Sequence, residues 1–163
     1  MKKLLLVLND SLLFMCVSMY LGTGWSMVLF SFTVLPDLTV QNYYLEFVPQ
    51  VYAAMSFFTY QTIVMLVLGS VMIWANWNTR YRLAAILLMV LIITATGITL
   101  LKAFPLNAVM AAHITDPQVL KDTLAPWEAQ TWVRVGFWTA EWLVMMYYFA
   151  GKLMDQPEAA NAA

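Results

Sequence analysis

Residues 11–36, 47–79 and 83–101 contain no Asp, Glu, Lys or Arg, and these long uncharged windows constrain the fold more than any other feature of the chain. A helix needs about 20 mostly apolar residues to cross the hydrocarbon of a bilayer, so each window is long enough for one span. A fourth stretch of similar length, about 131–151, differs in having an ionisable residue, Glu141, well inside it. Spans are expected over about 12–35, 50–74, 83–101 and 131–151, the first ending at Pro36 because proline disfavours helix in the residue before it. Of all residues, 63% are hydrophobic and 10% charged, against roughly 25% charged in a soluble domain. The expected fold is all-α: one domain, 1–163, forming an integral membrane antiparallel four-helix bundle with a short helical outer loop between spans three and four. The connection between spans two and three is short, which makes them antiparallel neighbours.

Charge and cysteine content narrow the classes of function. A formal net charge of −1 leaves no basic footprint for nucleic acid. The single cysteine, Cys16, rules out an intrachain disulfide and a cysteine-based zinc site. The Lys2-Lys3 start followed by leucines looks like a secretory leader, but Asn9 and Asp10 interrupt it and no small-residue cleavage site follows, so a retained first span is expected. Lys2, Lys3, Arg80, Arg82 and Lys152 fall at one side of the spans, and Lys102, Lys121 and Arg134 at the other. Positive residues gather on the cytoplasmic side, so both termini are expected there. Compact length and short tails suit a bacterial inner membrane, and the polar tail from Asp155 is expected to fray.

The two outer connections carry helix-start signals. Asp116 is suited to cap a helix that begins with Pro117, and Pro126 is expected to open the fourth span, leaving one or two short surface helices between 105 and 126. On the first span Ser18, Gly22 and Ser26 recur every four residues. Such a small-residue face admits a close helix neighbour, either from this chain or from a membrane partner or second copy.

Polar residues near the middle of the spans are the candidates for chemistry. Glu141, Gln61, Thr94 and the Gly22-Thr23-Gly24-Trp25 run sit at similar depth. A carboxylate at a helix centre costs about 2.5–3.5 kcal/mol, so Glu141 is expected to face the interior and to find donors or carry a proton. On the fourth helix Trp127, Gln130, Arg134, Trp138, Glu141 and Met145 share one face, a stripe able to line a pocket for a flat, mostly apolar ligand with an anionic or phenolic end near Arg134. Seven residues separate Arg134 from Glu141, about 10 Å of rise, so a bridge through water or ligand is expected rather than a direct ion pair. The same polar residues also serve well as hydrogen-bonding glue between spans. His113 with Asp116 is a minimal metal pair without further ligands, and the 12 methionines are scattered. Neither a metal nor a cofactor is expected.

Pro105-Leu106-Asn107, Trp127 and Arg134, with a glycine in span one (Gly22 or Gly24), a serine shortly after and Val34-Leu35-Pro36, resemble the anthrone oxygenase-like family of small four-span membrane proteins. The resemblance runs from about Gly22 to Tyr148. It implies a four-helix membrane bundle whose named members oxidise polyketide anthrones to anthraquinones with O₂ and no evident metal or flavin, with Asn107, Trp127 and Arg134 at the shared positions. The function expected is a cofactor-independent oxygenase acting on a hydrophobic aromatic or quinone-like molecule: Glu141, Arg134 and Asn107 catalytic, with Trp127, Gln130, Trp138 and Gln61 against the substrate. The alternative is a non-catalytic subunit of a larger membrane complex that docks through Ser18, Gly22 and Ser26. A transporter or channel is disfavoured by the absence of charged rings and of paired broken spans.

Overall fold

The computed structural model describes residues 2–155, and every regular element among them is helical. The tail expected to fray lies, from 156 onward, outside the described residues. Six α-helices are described: α1 (Lys2–Ser26), α2 (Tyr43–Glu46), α3 (Val48–Asn76), α4 (Arg82–Ile98), α5 (Phe104–Ala111) and α6 (Pro117–Met154). Two π-helical turns extend the rods, Met27–Ser31 after α1 and Thr99–Ala103 between α4 and α5.

Three helical segments, Lys3–Ser31, Tyr43–Asn76 and Arg82–Ala111, are long and apolar enough to cross a membrane. The helix expected over 131–151 lies wholly inside α6, yet α6 is not among those three. Arg134 and Glu141, together with Trp and Tyr residues whose hydropathy is low, dilute it below the apolarity of a lipid-facing rod.

The prolines break the chain less than expected. Pro126 does not open a new helix; it sits inside α6, which starts at Pro117 under an Asp116 cap that accepts the Gln118 N–H at 2.8 Å. Pro105 likewise falls in the first turn of α5, directly after the π turn. A proline ring clashes with the carbonyl one turn back, and a widened turn relieves that clash without ending the rod. Only residues 112–116 separate α5 from α6, so of the one or two short helices expected between 105 and 126 one is present, α5, and the rest of the stretch from Pro117 is the start of α6.

The long helices close a ring: α1 packs on α3 and α6, and α4 packs on the same two. Gln61 Nε2 donates to the Cys16 carbonyl (2.8 Å) and Asn9 Nδ2 to the Leu68 carbonyl (3.1 Å), so α1 and α3 run antiparallel. At Gly24 α1 lies close against α6, since a Cβ there would fall 2.6 Å from the Trp138 ring. Further along, the Tyr148 hydroxyl donates to Asp10, which makes this pair antiparallel as well. Asn9 and Asp10 do not delay α1 because both are buried and bonded: Asp10 receives Asn9 Nδ2 and the Tyr148 hydroxyl, and lies 3.7 Å from Lys152 Nζ.

The Ser18–Gly22–Ser26 face behaves differently. Gly22 and Ser26 are exposed, and no atom outside the helix lies within 4 Å of where a Gly22 side chain would begin. Among the described residues no helix packs against Gly22. Gly24, on another face of α1, is the small residue that α6 needs.

Two apolar clusters fill the ring. One, including Leu13, Val17, Met72, Leu88, Met145 and Tyr148, packs the end near the α3–α4 connection. The other, with Leu35, Tyr43, Val48, Met110, Leu124 and Trp127, caps the opposite end. Tyr43 pins that cap, its hydroxyl donating to the Met110 carbonyl and accepting the Ile114 N–H.

Candidate functional site

Between the two clusters lies a cavity of about 290 Å³. The α6 stripe forms one wall because Trp127, Arg134, Trp138 and Glu141 recur at helical spacing on one face. Facing it are Tyr20 and Thr23 of α1, the middle of α3, and the α4–α5 rod, including Thr99 and Leu100 from the π turn. The Met27 side chain of the other π turn also reaches the cavity.

The wall is apolar except at a few points, and two of those are ionisable side chains with no ion-pair partner among the described residues. Glu141 is 1% exposed, and neither of its carboxyl oxygens has a hydrogen-bond partner among the described residues. Arg134 is 8% exposed; its Nη2 donates to Thr131 Oγ1 at 2.7 Å, while its Nε has no partner. The guanidinium lies over the Trp138 ring, 5.5 Å from the centroid, an arrangement in which the ring's negative face attracts the cation. No ion pair links Arg134 to Glu141. A buried polar group left unbonded costs about 1–3 kcal/mol. Two such groups on one cavity wall mark a place where a ligand's own polar atoms would be held strongly.

Asn107 and Trp127, distant in sequence, meet at the capped end. Asn107 Oδ1 accepts the Trp127 indole N–H at 2.9 Å, and Asn107 Nδ2 points to the Met55 sulfur at 3.1 Å. A thioether is a weak acceptor, so that amide can turn to an oxygen on a ligand. Trp127 is wedged edge-on against Phe32 and Phe47.

Five of the seven residues proposed from the sequence thus share this cavity: Glu141, Arg134, Asn107, Trp127 and Trp138. Gln61 and Gln130 do not line it. Gln61 Nε2 donates to the Cys16 carbonyl and fastens α3 to α1, while its buried Oε1 has no partner among the described residues. Gln130 stands about 60° round the helix from Trp127, at the edge of the stripe, and its amide is buried away from the cavity without a partner. Thr94 is exposed and bonded to the Val90 carbonyl, so it faces away too.

Tyr20 and Thr62 belong to the site and were not singled out from the sequence. The Thr62 hydroxyl donates to the Phe58 carbonyl (2.8 Å) and lies 2.6 Å from the Tyr20 hydroxyl, while the Tyr20 ring packs on Trp138 at 5.1 Å. The available signal was the position of Tyr20 deep inside an uncharged window, since tyrosines of membrane helices gather at the interfaces.

His113 and Asp116 carry backbone roles: His113 ends the α5 turn at φ 55° and stacks on Tyr44, while Asp116 caps α6. Among the described residues no group of His, Cys, Asp and Glu is arranged to hold a metal ion.

No protein-family model, curated protein or solved structure matches this chain. The reading of the site rests on its geometry: an apolar slot with aromatic walls, a carboxyl group near the middle, and a guanidinium and an amide toward the cap.

Proposed function

We propose that the chain is an integral membrane protein, a four-helix antiparallel bundle with α6 as its fourth span, set in a bacterial inner membrane with both termini cytoplasmic. Its cavity takes a flat hydrophobic aromatic or quinone-like molecule and carries out its oxidation by O₂, as the resemblance to anthrone oxygenase-like proteins implies. The observation that carries the reading is the pair Glu141 and Arg134, buried on one cavity wall and not neutralising one another.

The chemistry follows from those two groups. An anthrone-type substrate has a doubly benzylic CH₂ opposite a ring carbonyl, and loss of one proton gives an anion spread onto the oxygen. Glu141 has no other partner competing for that proton, and acts as the general base. Arg134 and Asn107 donate to the developing oxyanion in a site with little water to screen them. The carbanion adds O₂ to form a hydroperoxide. Loss of the second C–H proton with cleavage of the O–O bond leaves a new carbonyl and one water, so one O₂ is consumed and no other reductant is needed.

The test is O₂ uptake and quinone absorbance with 1,8-dihydroxyanthrone and protein reconstituted in lipid. Glu141→Gln keeps the shape and removes the base, and is expected to lower kcat by at least about 10²-fold. Arg134→Ala is expected to reduce kcat/KM by a similar factor. Turnover at the wild-type rate in Glu141→Gln would remove the central step.

The exposed Gly22–Ser26 face favours a second reading, a non-catalytic subunit that docks there on a larger membrane complex or on a second copy. Native mass spectrometry from mild detergent separates the two. A retained aromatic molecule supports the first, and stoichiometric membrane subunits with no small molecule support the second.

A further inference from the structure

We propose that the cavity is loaded sideways from the hydrocarbon of the membrane, through a gap between α3 and the α4–α5 rod, and that its ligand is a lipid-dissolved aromatic phenol. The inference rests on reading the cavity as a ligand site and adds the route and the phase from which the ligand comes.

Both ends of the ring are shut. Toward the α3–α4 connection, Met65, Met72, Leu88 and Met145 are all buried in one packed cluster. At the other end Trp127 is 3% exposed under the Tyr43-pinned cap. The side is different. The residues that both line the cavity and are exposed outside are Thr59, Ile63 (55%) and Leu100 (52%), and all lie on α3 or on the π turn that follows α4. Ile63 is near the centre of α3, and both Tyr43–Asn76 and Arg82–Ala111 are apolar enough to cross a membrane, so the gap opens at hydrocarbon depth.

The chemistry of the gap fits lipid rather than water. Four threonines flank it, Thr59, Thr62, Thr96 and Thr99, and each hydroxyl donates to the carbonyl four residues earlier in its own helix at 2.7–2.9 Å. With the O–H groups turned back to the backbone, the threonines offer their methyl groups to whatever passes. Unbonded polar atoms in hydrocarbon are costly, so this arrangement suits an opening toward acyl chains. A π turn on one side of the gap replaces the regular hydrogen-bond ladder where a wall must yield. The polar groups inside set the ligand class: a guanidinium and an acid behind an apolar doorway suit a molecule neutral enough to partition into lipid and carrying a hydroxyl that can bond once inside.

The full chain in lipid nanodiscs, mixed with 1,8-dihydroxyanthraquinone in a stopped-flow instrument, reports entry through quenching of Trp127 and Trp138. Ile63→Phe and, separately, Leu100→Phe add bulk at lipid-exposed positions where folding is not at stake. Both are expected to slow association by about tenfold and to slow dissociation as well, as an obstructed route requires. Wild-type rates in both variants, or a change in dissociation alone, would overturn the lateral route, most plainly if Phe47→Ala, which thins the cap, speeds entry instead. Binding retained under that outcome would leave the cavity reading standing. If the wild-type protein quenches no more than the Arg134→Ala, Glu141→Gln double variant, the cavity holds no such ligand and both readings fall.

Discussion

The buried carboxyl group of Glu141 makes a stability prediction distinct from the catalytic one. Glu141 is fully buried and neither oxygen is bonded, so the folded protein carries the desolvation of a carboxyl group without the bond that would offset it. Glu141→Leu is therefore expected to stabilise the protein by about 1–3 kcal/mol while abolishing turnover. Thermal unfolding in detergent alongside the O₂ assay checks both halves, and a lowered midpoint would mean that Glu141 has a structural partner after all. At this scale the sequence was readable where a helical period applies. Trp127, Arg134, Trp138 and Glu141 lie on one helix, so their common face follows from 3.6 residues per turn. Asn107 was named only through the family resemblance, and its hydrogen bond with Trp127 could not be read from spacing because it joins two helices. Gln130 failed at the margin of the same period, and Gln61 failed because depth in the membrane says nothing about which way an amide turns.

Among the helices, the α1–α6 contact depends on one absent side chain. At Gly24 a Cβ would meet the Trp138 ring at 2.6 Å and the Val135 side chain at 2.9 Å, and neither a stiff β-branched valine nor an indole held against Tyr20 can yield easily. Gly24→Ala is expected to destabilise by about 1–3 kcal/mol through this overpacking and to disturb Trp138 in the cavity wall. Gly22→Ala meets no atom within 4 Å and should be neutral or slightly stabilising from helix propensity, unless a partner occupies that face. Comparing the two by denaturation in detergent and again in native membranes measures both effects. A cost for Gly22→Ala seen only in membranes would point to the docking partner. The element boundaries show where sequence grammar holds and where it loses force: Pro117 and Pro126 both read as helix openers. Pro117 does open α6 under its Asp116 cap, whereas Pro126 stays inside that long rod, which packs against α1 and α4. Asn9 and Asp10 read as an interruption before a span, and instead their side chains are bonded within the ring and α1 runs through them.

For the molecule as a whole, the decisive question is whether α6 crosses the membrane with the three apolar segments. Its composition alone does not class it as a span, yet its contacts hold it beside α1 over a long distance. Gly24 meets Trp138, and Asp10 meets Tyr148, positions about 21 Å apart along α1 at 1.5 Å per residue. A helix bound at both points, and packed on α4 as well, lies alongside helices long and apolar enough to cross about 30 Å of hydrocarbon. Its polar stripe is tolerated because it faces the cavity, while Trp132, Val133, Leu143 and Tyr147 are exposed on the outside, where lipid would meet them. The two ends of α6 are therefore expected on opposite sides of the membrane. With the buried Cys16 first replaced by Ala, single cysteines at Asp122 and Leu153, both exposed, should react with an impermeant maleimide from opposite sides in right-side-out and inverted vesicles. By the distribution of Lys and Arg, the Leu153 site should label from the cytoplasmic side. Labelling of both from one side would make α6 a helix that does not span, and would undo the four-span bundle together with the cavity that depends on it.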